Sequence, residues 1–365
     1  MADESAFPGL RSVLRNGLFL VGRSWTEAVL RAGYALLIAR VLGPADYGLW
    51  SLVMTAYMLG VSAAALGTDM LISARLGRDR HGSSGFVEVS LALRLALLSV
   101  AAVGLGLIAM FAGQGPEVAA GLAISLVAIF GRGLSLWTRS VFQGMERGEI
   151  ALVTTLACRL VEVSLGIFLL FATRNIFILL ALHSASWLLE AAIAYRRAKQ
   201  VQGFSAPRFQ TREMLALARE SAPVGTAIAC NAALHAAPLL LAGFLGAAQA
   251  QVGQLGIVMQ FAALAVMGMQ AFLGATVPVL ARALDRSDGR TAHYGGVVAL
   301  IVLLLFGGLG LLAHAFGAPL LVGLLGADYA MAADVLPWAF VLGGLSLLPN
   351  GFWQQQVLKK RMRPG

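Results

Sequence analysis

Ten apolar runs, each about as long as a bilayer is thick, leave this chain a single class of fold. They lie near residues 17–42, 48–68, 87–112, 118–137, 150–171, 176–194, 221–244, 251–280, 293–316 and 333–353. A helix needs ~20 residues to cross the ~30 Å of hydrocarbon. Inside that layer every backbone N–H and C=O must bond within its own span, so each run is predicted to be a helix. With 59% hydrophobic and 12% charged residues and a mean hydropathy of +0.80, a water-soluble domain is excluded. The expected fold is an all-α polytopic membrane protein. No small-residue cleavage site follows the first run, which therefore reads as a retained helix. Cys158 and Cys230 fall inside spans and suggest neither a disulfide framework nor a metal site.

Orientation follows from the basic residues. Alternate loops collect Arg11 and Arg15, then Arg75, Arg78 and Arg80, then Arg139 and Arg147. The segment from Arg196 to Arg219, the group Arg282, Arg286 and Arg290, and the end from Lys359 to Arg363 continue the series. The other loops hold little beyond Arg40 and Arg174. The positive-inside rule then puts both termini and all the basic loops in the cytoplasm. Most of the formal charge of +9 is this bias, together with attraction to anionic membrane lipids. No basic stripe with interleaved aromatics marks a nucleic-acid surface. Trp25, Trp50, Trp137, Trp338 and Trp353 stand near span ends, where an aromatic belt is expected.

The chain also repeats itself. Residues 37–54 read LIARVLGPADYGLWSLVM and residues 240–259 read LLAGFLGAAQAQVGQLGIVM. Leu42-Gly43 matches Leu245-Gly246, and Gly48, Val53 and Met54 match Gly253, Val258 and Met259. Internal repeats are a common build of secondary transporters, with the substrate site between the halves. The expected organisation is a six-helix bundle over 1–195, a basic cytoplasmic linker over 196–220 and a four-helix bundle over 221–365. An even number of spans per half gives both hairpins the same membrane sense. By this symmetry the second half lacks two helices. The chain is then a truncated product, a naturally shortened relative or the product of an incomplete gene model.

Charges inside spans are where chemistry is sought, since a central Arg or Glu costs ~2.5–3.5 kcal/mol on insertion scales. Arg23, Glu27 and Arg31 share one face of span one, and Arg159 and Glu162 lie three apart in span five. Arg94 and Arg132 add charge in spans three and four. Two readings stand side by side: these residues line a cationic cavity, or they form intrahelical ion pairs that cheapen burial. Span seven carries Asn231, His235 and Pro238, so a hinge at Pro238 is expected. Asn231 and His235 line a cavity or bond to a neighbouring helix, and the same choice applies to His183 and to Gln254, Gln260 and Gln270. Glu27, Glu162 and His235 are the candidates for a coupling ion. No phosphate loop, ligand-spaced Cys or His pair, or nucleophile–base constellation occurs, so no enzyme, metal or cofactor is expected.

A resemblance adds a substrate. Ala39-Arg40-Val41-Leu42-Gly43-Pro44-Ala45-Asp46-Tyr47-Gly48 resembles the first periplasmic turn of Wzx-type polysaccharide and O-antigen flippases, in the multidrug/oligosaccharidyl-lipid/polysaccharide exporter superfamily. Phe142-Gln143-Gly144-Met145-Glu146-Arg147 is similar to that family's loop after span four, and Leu324-Leu325-Gly326-Ala327-Asp328-Tyr329 to its turn between spans nine and ten. Members usually have twelve or more helices. The resemblance implies a bacterial inner-membrane transporter that flips an undecaprenyl-pyrophosphate-type lipid-linked oligosaccharide by alternating access. A polysaccharide polymerase and glycosyltransferases are its implied partners. Arg31, Arg159 and Arg94 would neutralise the pyrophosphate or acidic sugars, with Arg132 and Asn231 also lining the cavity. The alternatives are a lipid II-type flippase, a drug/cation exporter, and a non-transporting partner of a polysaccharide-assembly complex.

Overall fold

The apolar runs fold as helices throughout, and no strand occurs among the described residues. The computed structural model describes the backbone of residues 8–79, 83–111, 115–285 and 291–361, and the side chains of 25–79, 83–111, 115–270 and 296–348. Arg23, Arg80 and Trp353, the basic stretch at 282–290 and the basic end after 358 therefore lie outside the described side chains. The elements are α1 (Pro8–Ala65), α2 (Thr68–Arg78), α3 (Ser84–Phe111), α4 (Pro116–Gly144), α5 (Gly148–Thr173), α6 (Ile176–Gln202), α7 (Thr211–Phe244), α8 (Gln249–Asp285), α9 (Thr291–Leu325) and α10 (Ala332–Arg361). Among the described residues, eight helices are long and apolar enough to cross a membrane. The protein is an all-α polytopic membrane protein.

Spans one and two both lie within α1, which breaks at Gly43 (φ 83°, ψ 176°). Tyr34 and Trp50 meet edge to face with ring centroids 6.3 Å apart. In a straight helix sixteen residues would separate them by ~24 Å, so the chain doubles back at Gly43. The second copy of the repeat also carries a glycine at positive φ, Gly246 at 92°, between α7 and α8. An L side chain at either glycine would strain a left-handed backbone, which explains why Leu-Gly is the dipeptide both copies keep.

Compactness divides the chain into Met1–Val252 and Gly253–Gly365. In the first unit α4 is central, packing on α1, α2, α3, α5 and α6. Close approach is built in: a Cβ on Gly131 would stand 2.6 Å from the Trp187 carbonyl carbon, and one on Gly144 would stand 2.6 Å from Leu76 Cβ. The segment at 142–147 is thus a turn packed under α2, with Phe142 and Met145 buried in a core that includes Leu76, Trp137 and Phe204. The helix α2 interrupts a stretch that the charge pattern marks only as a basic loop. It buries Thr68, Ile72 and Leu76 at four-residue spacing and leaves its arginines outside. The linker is mostly helix too. Its non-helical part is strapped to α3 through Ser205 N–H to Glu88 Oε1 (2.8 Å) and Arg208 N–H to the Glu88 carbonyl (3.1 Å).

Helix α7, which the repeat assigns to the second half, packs on α1 within the first unit. It runs without a break through Pro223 and Pro238. The seam is tight at Gly225, where a Cβ would stand 2.3 Å from the Leu66 carbonyl carbon. Gly225→Ala is expected to push α7 off α1 and cost ~1–3 kcal/mol, read as a lower unfolding temperature in detergent. An unchanged temperature would contradict the seam. In the second unit α9 packs on α10, and Val266, Met269, Val298, Val302, Phe306 and Leu347 form a core. Tyr329, in a 3-10 turn after Gly326, is fully buried there.

Candidate functional site

The charged residues of four spans converge inside the first unit. Helix α1 contributes Glu27 and Arg31 from its first half and Tyr57 from its second. Helix α4 contributes Arg132 and Arg139, and α5 contributes Thr155, Arg159 and Glu162. Helix α6 brings His183, Ser186, Trp187 and Glu190 on one face, at spacings of three and four. All are buried except Arg31, which keeps 34% of its side chain open, and Tyr57 is fully buried.

The bonds fall into a chain of ion pairs. Glu190 holds two arginines: Oε1 accepts from Arg139 Nη2 at 2.7 Å, and Oε2 accepts from Arg159 Nη2 at 3.1 Å. Thr155 Oγ1 donates to the same Oε1 at 3.3 Å. Arg159 also donates to Ser186 Oγ at 3.0 Å and pairs with Glu162 Oε2. The other oxygen of Glu162 lies 2.6 Å from His183 Nδ1. Trp187 Nε1–H donates to His183 Nε2 at 3.0 Å, and Tyr57 Oη lies 2.7 Å from the same nitrogen. An indole N–H can only donate, so Nε2 carries no proton. His183 is therefore the neutral Nδ1–H tautomer donating to Glu162.

Trp187 forms the floor on which three arginines stack, with Cζ of Arg159, Arg132 and Arg139 at 4.0, 4.4 and 5.6 Å from its ring centroid. Cation–π attraction of this kind strengthens when the pair is desolvated. Glu27 touches Arg139 at 3.2 Å but reaches Arg31 and Arg132 only at 3.8 and 4.0 Å. Arg132 is 7% exposed, and its Nε and Nη1 find no hydrogen-bond partner among the described residues. Among the described residues, four arginines thus face three carboxylates beside a neutral histidine. Arg139 and Arg159 each keep an unpartnered Nε but are paired with Glu190, whereas among the described residues Arg132 has two unpartnered nitrogens and no carboxylate nearer than 4.0 Å, beside the half-open Arg31. A planar guanidinium with free donors holds phosphate or carboxylate oxygens at two points.

Of the residues singled out in the sequence, Arg31, Arg132, Arg159, Glu27 and Glu162 are brought together here. Both intrahelical pairs, Glu27–Arg31 and Arg159–Glu162, occur as parts of the larger network. Arg94 sits in a separate group: its Nη2 pairs with Asp69 and donates to Thr68 Oγ1 at 3.1 Å, while Ser140 Oγ donates to Asp69 Oδ1 at 2.9 Å. Asn231 and His235 are exposed on α7, and His235 Nδ1 bonds the Asn231 carbonyl of its own helix at 2.9 Å. Pro238 lies within the unbroken α7. Gln254 Nε2 donates to the Asp328 carbonyl at 3.3 Å, and Gln270 is exposed.

Sequence reasoning missed Arg139, Trp187 and Glu190. Helix α4 extends past the predicted end of span four, so Arg139 is a buried partner of Glu190 and not a loop residue. The available signal was its spacing of seven from Arg132, which keeps both on one face. The aromatic belt is also smaller than expected. Trp25 and Trp338 are exposed, whereas Trp50 and Trp137 are core residues.

The sequence matches the family described as polysaccharide biosynthesis protein over residues 13–284. A search of curated proteins found no match.

Proposed function

The chain belongs to the polysaccharide biosynthesis protein family, the family of Wzx-type polysaccharide and O-antigen flippases, and we propose that its arginine cluster receives the pyrophosphate of a lipid-linked oligosaccharide during export. The observation that carries this reading is Arg132, a buried arginine with unpartnered donors, standing beside the half-open Arg31. A desolvated cation with free N–H groups is costly unless an anion completes it. The polyprenyl tail would stay in the bilayer while the two helical bundles alternate in exposing the headgroup to either side. On this reading the protein is a multi-pass transporter of the bacterial inner membrane, with its basic loops and termini in the cytoplasm and no catalytic residues of its own. A drug or cation exporter would need a surplus of carboxylates, and here arginines outnumber them.

The test is a flipping assay in proteoliposomes with a fluorescent polyprenyl-pyrophosphate oligosaccharide. Wild-type protein should move label between leaflets, and Arg31→Ala, inserted at equal density, should move it about tenfold more slowly, the worth of one charge-assisted hydrogen-bond donor. Equal rates would reject the role of Arg31. No flipping by either protein would favour a non-transporting partner of a polysaccharide-assembly complex.

A further inference from the structure

The fully buried Trp187 is fixed at both ends. At its base α6 closes on Gly131, where an added Cβ would stand 2.8 Å from Trp187 Cβ. At its tip the indole N–H donates to His183 Nε2 at 3.0 Å, one turn back on the same helix face. His183 is held in turn, because Nδ1–H donates to Glu162 Oε1 at 2.6 Å and the imidazole meets Trp50 edge to face at 5.7 Å. Its Nε2 lone pair is shared. Tyr57 Oη lies 2.7 Å from the same unprotonated nitrogen and must also donate to it. The arginines above the indole depend on it unequally. Arg139 and Arg159 are hydrogen-bonded to Glu190. Arg132 has Nε and Nη1 unpartnered among the described residues, and its nearest described carboxylate is 4.0 Å away. The indole face, with its centroid 4.4 Å from Arg132 Cζ, is therefore what sets the plane of that guanidinium.

We propose that His183 is a positioning residue for the anion site: by accepting the indole N–H it holds the Trp187 ring in the plane that aims the unpartnered donors of Arg132 at the ligand. The proposal rests on the reading of the arginine cluster as the pyrophosphate site. Only a bare Nε2 can accept an N–H, so the device needs the Nδ1–H tautomer, and Glu162 selects it by taking the Nδ1 proton. A carboxylate on α5 thus reaches an arginine on α4 through an imidazole and an indole on α6. Tyr57 draws on the same lone pair from the second half of α1 and weakens the indole bond. Direction matters because a hydrogen bond to a phosphate oxygen fades steeply once the donor is turned away from it.

The experiment uses the full-length protein in detergent with 15N-labelled tryptophan. It reads the indole N–H resonance of Trp187, identified by its loss in Trp187→Phe, and the calorimetric binding of the dimethyl diester of pyrophosphate. An asparagine places its amide nitrogen near the Nδ1 position, and a glutamine places its amide oxygen near Nε2. His183→Asn therefore keeps a donor for Glu162 and leaves the indole without its acceptor, whereas His183→Gln keeps the acceptor. His183→Asn is expected to move the Trp187 resonance upfield and to weaken pyrophosphate binding by about tenfold. His183→Gln should restore both. An unmoved resonance in His183→Asn, or a glutamine variant that binds as weakly as the asparagine one, would overturn the positioning role. So would a moved resonance with binding at wild-type strength, which leaves the arginine site standing if Arg132→Ala abolishes that binding. Should neither histidine variant purify, Tyr57→Phe decides. Leaving the lone pair to Trp187 alone should move the resonance downfield and keep binding at least as tight as wild type, and an unmoved resonance or weaker binding would overturn the proposal. Absence of pyrophosphate binding by wild type would overturn the arginine site itself, and the role of His183 in it.

Discussion

Glu190→Ala should fail to accumulate as a monodisperse membrane protein. Glu190 is 1% exposed and is the acceptor that Arg139 and Arg159 share. Truncating it leaves two buried guanidinium groups stacked on the same indole with one counter-charge fewer between them. Breaking a buried pair by removing one partner costs roughly 3–5 kcal/mol, a large fraction of a domain's ~5–15 kcal/mol of stability. Glu190→Gln keeps an acceptor oxygen but not the charge, so it should lie between alanine and wild type. Size-exclusion profiles and thermal unfolding in detergent read the order directly. An alanine variant that melts with wild type would mean that the network does not hold α4, α5 and α6 together.

Arg132→Ala should do the opposite, leaving the protein intact and removing its transport. The side chain gives up a long contact to Glu27 and a stack on Trp187, while Glu27 keeps Arg139 and Trp187 keeps Arg159. Nothing buried is stranded, so membrane levels should match wild type. The ligand, however, loses the guanidinium with the most unused donors. Hydrogen bonds to charged groups contribute ~1.5–3 kcal/mol, so flipping of the lipid-linked oligosaccharide should slow by about tenfold to a hundredfold. Arg132→Lys keeps the charge but not the two-point fork and should recover only part of the rate. Alanine and wild type flipping at the same rate would remove Arg132 from the site.

The two experiments separate arginines that the sequence lists as equals. Arg31, Arg132 and Arg159 are all visible as charges within apolar runs, and membrane insertion costs make each of them unusual. Their different fates depend on which carboxylates reach them from neighbouring helices. Arg159 meets Glu162 one turn away and Glu190 on α6, and both its Nη groups are paired. Among the described carboxylates Arg132 meets only Glu27, at 4.0 Å. Arg94, equally conspicuous in span three, is taken up by Asp69 of α2, a helix hidden behind its exposed arginines.

What the sequence determined by itself was the set of membrane-crossing helices and the turns between paired spans. An apolar run of bilayer length has one way to satisfy its backbone, and a glycine is needed where the chain turns through positive φ, at Gly43 and again at Gly246. These are local constraints, and local pattern is enough to read them. Which buried charges are spent on one another, and which keep unpartnered donors, was decided only by tertiary packing. Arg139 joined the site because α4 continues about two turns beyond its apolar run, and Trp187 became its floor because Gly131 lets α6 close against α4. Ion pairing inside a membrane is settled at distances of 3–4 Å between different helices, and span spacing carries no record of that geometry.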